Sequence, residues 1–154
     1  MHKNIEIKEL QSEQASFLSA LILNAHRDHT KYFTAFSFKE DAIKKIINDA
    51  VNDKYFGIFI NNNLVGFYML RGFDEGYEVP SYGVWISDKF SRLGLSKLTL
   101  QHAITYCKVN NIKNIMLKVH PENIVAKNIY EAFGFKQEGF DEKNSNLIYH
   151  KSLD

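Results

Sequence analysis

Cysteine is almost missing from this chain: Cys107 is the only one in 154 residues, so no intramolecular disulfide and no thiolate metal cluster can form. Proline is nearly as scarce, with two, and no Pro/Gly/Ser-rich tract or internal repeat divides the chain. No apolar run approaches the length of a membrane span, and "MHKNIEIKEL" lacks the apolar core of a signal peptide. Charge of one sign is missing too. Nineteen basic and 18 acidic residues leave +1, which gives no hint of a nucleic-acid face or a polybasic membrane patch. What is present is apolar and bulky: 45% hydrophobic and 14% aromatic residues suit one domain, residues 1–154, with a real core. The expectation is a cytoplasmic protein.

Hydrophobic spacing sets the order of elements. "NIEIKEL" alternates apolar and polar as a strand does. "SEQASFLSALILNAH" puts Phe17, Leu18, Leu21, Ile22 and Ala25 on one helical face, and "RDHTKYFTAF" has no clear period. "SFKE" predicts a capping box between Ser37 and Glu40, opening a helix with Ile43, Ile46, Ile47, Ala50 and Val51 on one side. Then the period changes: "KYFGIFI" and "LVGFYMLRGF", joined through "NNN", read as a hairpin. "SYGVWIS" is a further strand, Gly94 to Asn110 a long helix, and "KNIMLKVH" a strand parallel to the one before that helix. A short helix and two closing strands finish the chain. The fold class is mixed α/β (α+β), not a doubly wound sheet.

The junction "VWISDKFSRLGLSKLTL" is the most informative. A buried strand ends, the chain turns, and a helix opens around Gly94. Unpaired amides at a helix start, with the helix dipole behind them, make an anion site. Gly94 permits close approach, and Arg92 and Lys97 can add charge. Neither the P-loop pattern nor the dinucleotide fingerprint is present.

Two motifs make the chain similar to the GNAT superfamily of acetyl-CoA-dependent N-acetyltransferases. The family's pyrophosphate loop, Q/R-x-x-G-x-G/A, aligns with Ser91 to Ser96 and keeps its central Gly94. Ser91 and Ser96 depart from it. The family's N-x-x-A-x-x-x-Y-x-x-x-G-F helix is matched at Asn123, Ala126, Tyr130, Gly134 and Phe135. "GVWIS" also resembles a strand of the branch containing ribosomal-protein-alanine acetyltransferases. The resemblance implies a mostly antiparallel sheet with one parallel pair at the cofactor cleft and helices on both faces. It implies acetyl-CoA as co-substrate, without a metal. Residue by residue, the resemblance implies that backbone groups of Trp85, Ile86 and Ser87 pair with the pantetheine arm. It implies that the amides of Arg92, Leu93, Gly94, Leu95, Ser96 and Lys97 take the pyrophosphate, that Asn123 bonds the cofactor nearby, and that Tyr130 protonates the leaving thiolate.

A tyrosine suits that role chemically, because thiol and phenol have ordinary pKa values of about 8.5 and 10. For the base that takes the amine's proton, Glu78, His120, His29 and a held water are the candidates. Relatives often carry an acid where this chain has Ser81. The resemblance places His29, Tyr32 and Phe33, with Arg27 and Asp28, on the acceptor pocket. "HRDH" offers two histidines at i, i+3 but no third ligand, too little for a metal site. Cys107 shares a helix face with Leu100, Ala103 and Ile104 and reads as a small buried hydrophobe. Expected partners are a small-molecule or peptide amine and, as an option, a second copy in a homodimer. Nucleic acid and membrane are not expected. The competing reading is a non-catalytic acetyl-CoA-binding module on the same fold.

Overall fold

The structure, a computed structural model, describes residues 2–154. Its strands are β1 (Ile5–Glu9), β2 (Lys54–Ile60), β3 (Asn63–Arg71), β4 (Ser81–Ile86), β5 (Asn114–Val119), β6 (Lys136–Asp141) and β7 (Asn146–Ser152). Its helices are α1 (Ala15–Leu23), α2 (Arg27–Thr30), α3 (Glu40–Asp49), α4 (Leu95–Val109) and α5 (Ile124–Ala132). The strands form one seven-stranded sheet in the order β1-β2-β3-β4-β5-β7-β6, antiparallel except between β4 and β5. The expected β-α-β unit is there, with α4 as its crossover.

Local chemistry explains most element ends. The β2–β3 hairpin turns on Asn61 and Asn62, both left-handed at φ 49° and 67°, a conformation asparagine tolerates better than most side chains. α3 opens differently from the capping box expected at Ser37 and Glu40. Its N-cap is Lys39, without a side-chain bond, and the Ser37 hydroxyl accepts the Lys39 amide at 3.3 Å in a turn one step upstream. Glu40 and Asp41 in the first turn serve the helix through its dipole instead. α3 ends at Asp49, and Val51, expected on its apolar face, is exposed.

Because strand side chains alternate, β4 sends Tyr82 to one face and Trp85 to the other. Tyr82 joins Tyr68, Ile115 and Leu117 beneath Leu100, Ala103, Ile104 and Cys107 of α4. Trp85 joins Phe67 and Met69 beneath Leu18 and Ile22 of α1 and Ile43 of α3. Each fully buried aliphatic side chain here contributes about 1.5–3 kcal/mol. The helices therefore lie on both faces. Cys107 is fully buried, as its helix face implied.

The relationship that positions the site is a parting of strands. β4 stays on β3 as far as Ile86, but meets β5 only at Ser81 opposite Met116 and Tyr82 opposite Leu117. Beyond Tyr82 the parallel pair opens into a V.

Candidate active site

A cavity of about 570 Å³ fills that V, walled by β4, α2, the start of α4 and α5. A larger one, about 790 Å³, lies between α1 and the hairpin turn, away from the head of α4 and from α5. The chemistry is in the smaller one.

Ser87 donates its amide to Val65 of β3 at 2.8 Å. Alternation along an antiparallel ladder then commits the amide and carbonyl of Trp85 to β3 as well, and turns those of Val84 and Ile86 toward the V. The carbonyl of Pro80, of the same parity, accepts from Met116 of β5 at 3.0 Å, in agreement. Of the three backbone positions expected to face a pantetheine arm, Ile86 does so, and Trp85 and Ser87 do not. Val84 takes their place. Parity along a strand is readable in a sequence, but which parity faces the cleft depends on a register that is not.

At the head of α4 the amides from Arg92 to Lys97 have no hydrogen-bond partner among the described residues; the first helical bond is Leu98 to Gly94 at 3.0 Å. Arg92 and Gly94 are left-handed, at φ 63° and 86°, which bends this run of donors into a concave nest. Nothing lies within 4 Å of where a Gly94 side chain would begin, and no acidic residue occupies the first turn. A nest of free amides on a 15-residue helix, open and with no carboxylate in its first turn, fits a pyrophosphate.

α5 supplies the other wall. Asn123 is its N-cap: Oδ1 accepts the Ala126 amide at 3.4 Å, leaving the side-chain NH2 available at the cavity. Tyr130 lines the same cavity, its ring edge-on to Tyr82 and Phe135. Its hydroxyl has no hydrogen-bond partner among the described residues, and burial holds its phenol above the ordinary value. It therefore stays protonated, as a proton donor must. Ala126, the alanine of the helix motif, completes this wall with Val125 and Ile129, which had no sequence signal beyond helical spacing.

On the open side, α2 crosses the V. His29 Nε2 donates to the Ile86 carbonyl, its ring stands edge-on to Trp85, and Nδ1 lies 3.8 Å from an Asp88 carboxylate oxygen. Tyr32 stacks on His120 at the end of β5, centroids 4.7 Å apart. The structure thus brings His29, Tyr32 and Tyr130 around one cleft, with His120 stacked on Tyr32 outside its lining. It does not bring Phe33 or Glu78 there. Phe33 packs with Phe36, Phe38 and Phe67 in the core beneath α1 and α3. Glu78 precedes β4 and lines a separate cavity with Tyr106 and Lys113, at the end of the sheet where β4 and β5 are still paired. Ser81 sits in that paired stretch as well.

The acetyltransferase (GNAT) family profile matches residues 19–135, and the chain belongs to that family. It is 29% identical over 123 residues to a spermine/spermidine N(1)-acetyltransferase of Bacillus subtilis strain 168, covering 73% of this chain and 81% of that protein. Among solved structures it resembles a PaiA N-acetyltransferase of Thermoplasma acidophilum in complex with coenzyme A. The TM-score is 0.80 at 20% identity, over 97% of this chain and 99% of that one. It also resembles RimL, a ribosomal L7/L12 alpha-N-protein acetyltransferase, with a TM-score of 0.81 at 15% identity over 96% and 90% of the two chains. The chain is accordingly an acetyl-CoA-dependent N-acetyltransferase with the mixed, mostly antiparallel sheet of that fold. Among the described residues no helix is long and apolar enough to cross a membrane.

Proposed function

We propose that this protein transfers the acetyl group of acetyl-CoA directly to a primary amine that enters the V from the α2 side. The observation that carries this is the run of unpartnered amides from Arg92 to Lys97 facing the same cavity as the Tyr130 hydroxyl. The amide nest takes the pyrophosphate. The main-chain groups of Val84 and the amide of Ile86, whose carbonyl is taken by His29, pair with the pantetheine arm as an added strand, and the Asn123 side chain bonds it from α5. Acetyl-CoA brings an activated thioester whose departure leaves a thiolate. Tyr130, kept protonated by burial, supplies the proton to that sulfur. A strand amide of β4 receives the charge that develops on the carbonyl oxygen.

Direct transfer is favoured because Cys107, the chain's only cysteine, is fully buried under α4 and burial pushes its thiol up to about 11. No thiolate is on offer for an acyl-enzyme. The acceptor is a small amine, an amino-sugar nucleotide or a protein N-terminus. The small aliphatic amines come first, because the Bacillus relatives are named for spermine and spermidine.

The test is thiol release from acetyl-CoA with spermidine, an amino-sugar nucleotide and a short peptide with a free N-terminus. Turnover with one of them, abolished together with coenzyme A binding in Gly94→Val, is the expected result. Coenzyme A binding without turnover on any amine would replace this reading with the non-catalytic module.

A further inference from the structure

Tyr82 stands where the cofactor site is assembled, and nothing in the proposed chemistry uses it. Its main chain makes the last ladder contact with β5, opposite Leu117, before the strands part. Its ring meets the Tyr130 ring nearly at right angles, 83°, with centroids 6.3 Å apart. Its hydroxyl lies 3.0 Å from Thr99 Oγ1, and Thr99 Oγ1 lies 3.0 Å from the carbonyl oxygen of Ser96. Both side chains are buried, Thr99 completely.

The direction of this chain is fixed by chemistry. A carbonyl oxygen only accepts, so the Thr99 proton goes to Ser96, and the Tyr82 proton must then go to Thr99. Ser96 belongs to the first turn of α4, and its own amide is one of the unpartnered donors of the nest. The sequence Tyr82 to Thr99 to Ser96 therefore ties the first turn of α4 to the apex of the V, in a dry interior where such bonds are costly to leave unmade. The same residue braces the ring of the proton donor. A phosphate site and a thiol site at opposite ends of one extended ligand are useful only if their separation is held.

Resting on the acetyl-CoA reading above, we infer that Tyr82, acting through Thr99, is a positioning residue. It holds the amide nest at a set distance and tilt from Tyr130, so that one cofactor satisfies both ends at once.

The experiment compares hydroxyl deletions that cost the core alike but differ in what they anchor. Tyr82→Phe and Thr99→Val remove the chain. Thr99→Ser keeps it. Tyr68→Phe removes another hydroxyl bonded to α4, that to His102 Nδ1 at 2.6 Å, beyond the first turn. Coenzyme A binding is read by calorimetry and folding by thermal melting, after wild type has been shown to bind coenzyme A and release thiol. Tyr82→Phe and Thr99→Val should lose about 5- to 30-fold in coenzyme A affinity. Thr99→Ser should restore it to within about 2-fold, and Tyr68→Phe should keep wild-type affinity whatever its melting temperature. Equal losses in all the deletions, or a fall in melting temperature with affinity intact in Tyr82→Phe, would overturn the inference and leave a core hydrogen bond. A wild type that binds no coenzyme A would overturn the acetyl-CoA reading itself, a result distinct from either.

Discussion

The amide of Phe135 donates to the carbonyl of Tyr130 at 3.0 Å, and their rings meet edge-on with centroids 6.0 Å apart. Between them Gly134, left-handed at φ 89°, donates to Glu131 at 3.0 Å. The paired bonds and the apolar contact across them make a Schellman stop. The "GF" that ends the helix motif thus has a local cause. Glycine is needed to leave the helix, and the phenylalanine, buried to 2% exposure, holds the tyrosine in place from behind.

Gly134→Ala should therefore damage both stability and turnover. An alanine held left-handed costs about 1–2 kcal/mol, and its methyl would meet only the flexible end of Lys151. Melting should fall by roughly 2–8 °C. Because the helix end that holds Tyr130 is disturbed, kcat should drop more than coenzyme A affinity does. A lower melting point with unchanged kcat would show that the stop serves folding alone.

Tyr130→Phe isolates the hydroxyl. That group has no hydrogen-bond partner among the described residues, so its removal should leave melting almost unchanged while the chemical rate falls by about 100-fold or more. Coenzyme A affinity should stay within a few-fold. The acid works in its protonated form, and burial raises its pKa above the ordinary 10. The wild-type rate should therefore show no decline from loss of this proton anywhere below about pH 10. An unchanged rate in the variant would remove Tyr130 from the mechanism.

The sequence carried the elements whose cause is local. The Asn61–Asn62 turn, the amphipathic face of Ile43, Ile46 and Ile47, and the glycine-phenylalanine stop are each visible within a few residues. So was the nest, because a strand, a glycine and a helix follow one another around Gly94. What could not be read depends on register and on where two strands part. The main-chain groups of Val84 face the cleft and those of Trp85 do not, because of a bond between Ser87 and Val65. Glu78 and Ser81 sit before the split at Tyr82, and no spacing in the chain announces that position. Phe33 was expected on the acceptor wall with its neighbour Tyr32. The two diverge because residues 31–36 leave α2 without a regular period, so adjacent side chains reach different layers.

Away from the site, Asp74 should make part of the protein's stability acid-sensitive. Its carboxylate accepts the successive amides of Val51, Asn52 and Asp53 at 3.0, 2.7 and 3.2 Å, and its own amide donates to Asp53 at 3.2 Å. These bonds, that of Val51 foremost, hold its pKa below the ordinary 3.8. A depressed carboxylate stabilises the fold above its unfolded value and loses that contribution as pH falls through the folded value. Asp74→Asn should melt lower than wild type at pH 7, and the gap should close as the pH drops below about 4. A gap that stays constant down to pH 2.5 would assign it to something other than the charge.

His29 lines the cleft and His120 stacks on Tyr32 of its wall, and their hydrogen bonds separate them as bases. His120 Nδ1 accepts the Glu122 amide at 3.1 Å, so its lone pair is committed and the neutral ring carries its proton on Nε2. The reverse holds for His29. Its Nε2 donates to the Ile86 carbonyl, which leaves the Nδ1 lone pair uncommitted and Asp88 in place to accompany the ring once protonated. His120→Asn keeps an acceptor for Glu122 but loses the stack on Tyr32. It should raise the acceptor KM by about 2- to 12-fold, the worth of one aromatic pair, and leave kcat nearly unchanged. His29→Asn should lower kcat while leaving coenzyme A affinity within a few-fold. If kcat collapses in His120→Asn and survives in His29→Asn, the base is His120, and the Glu122 bond must break during turnover.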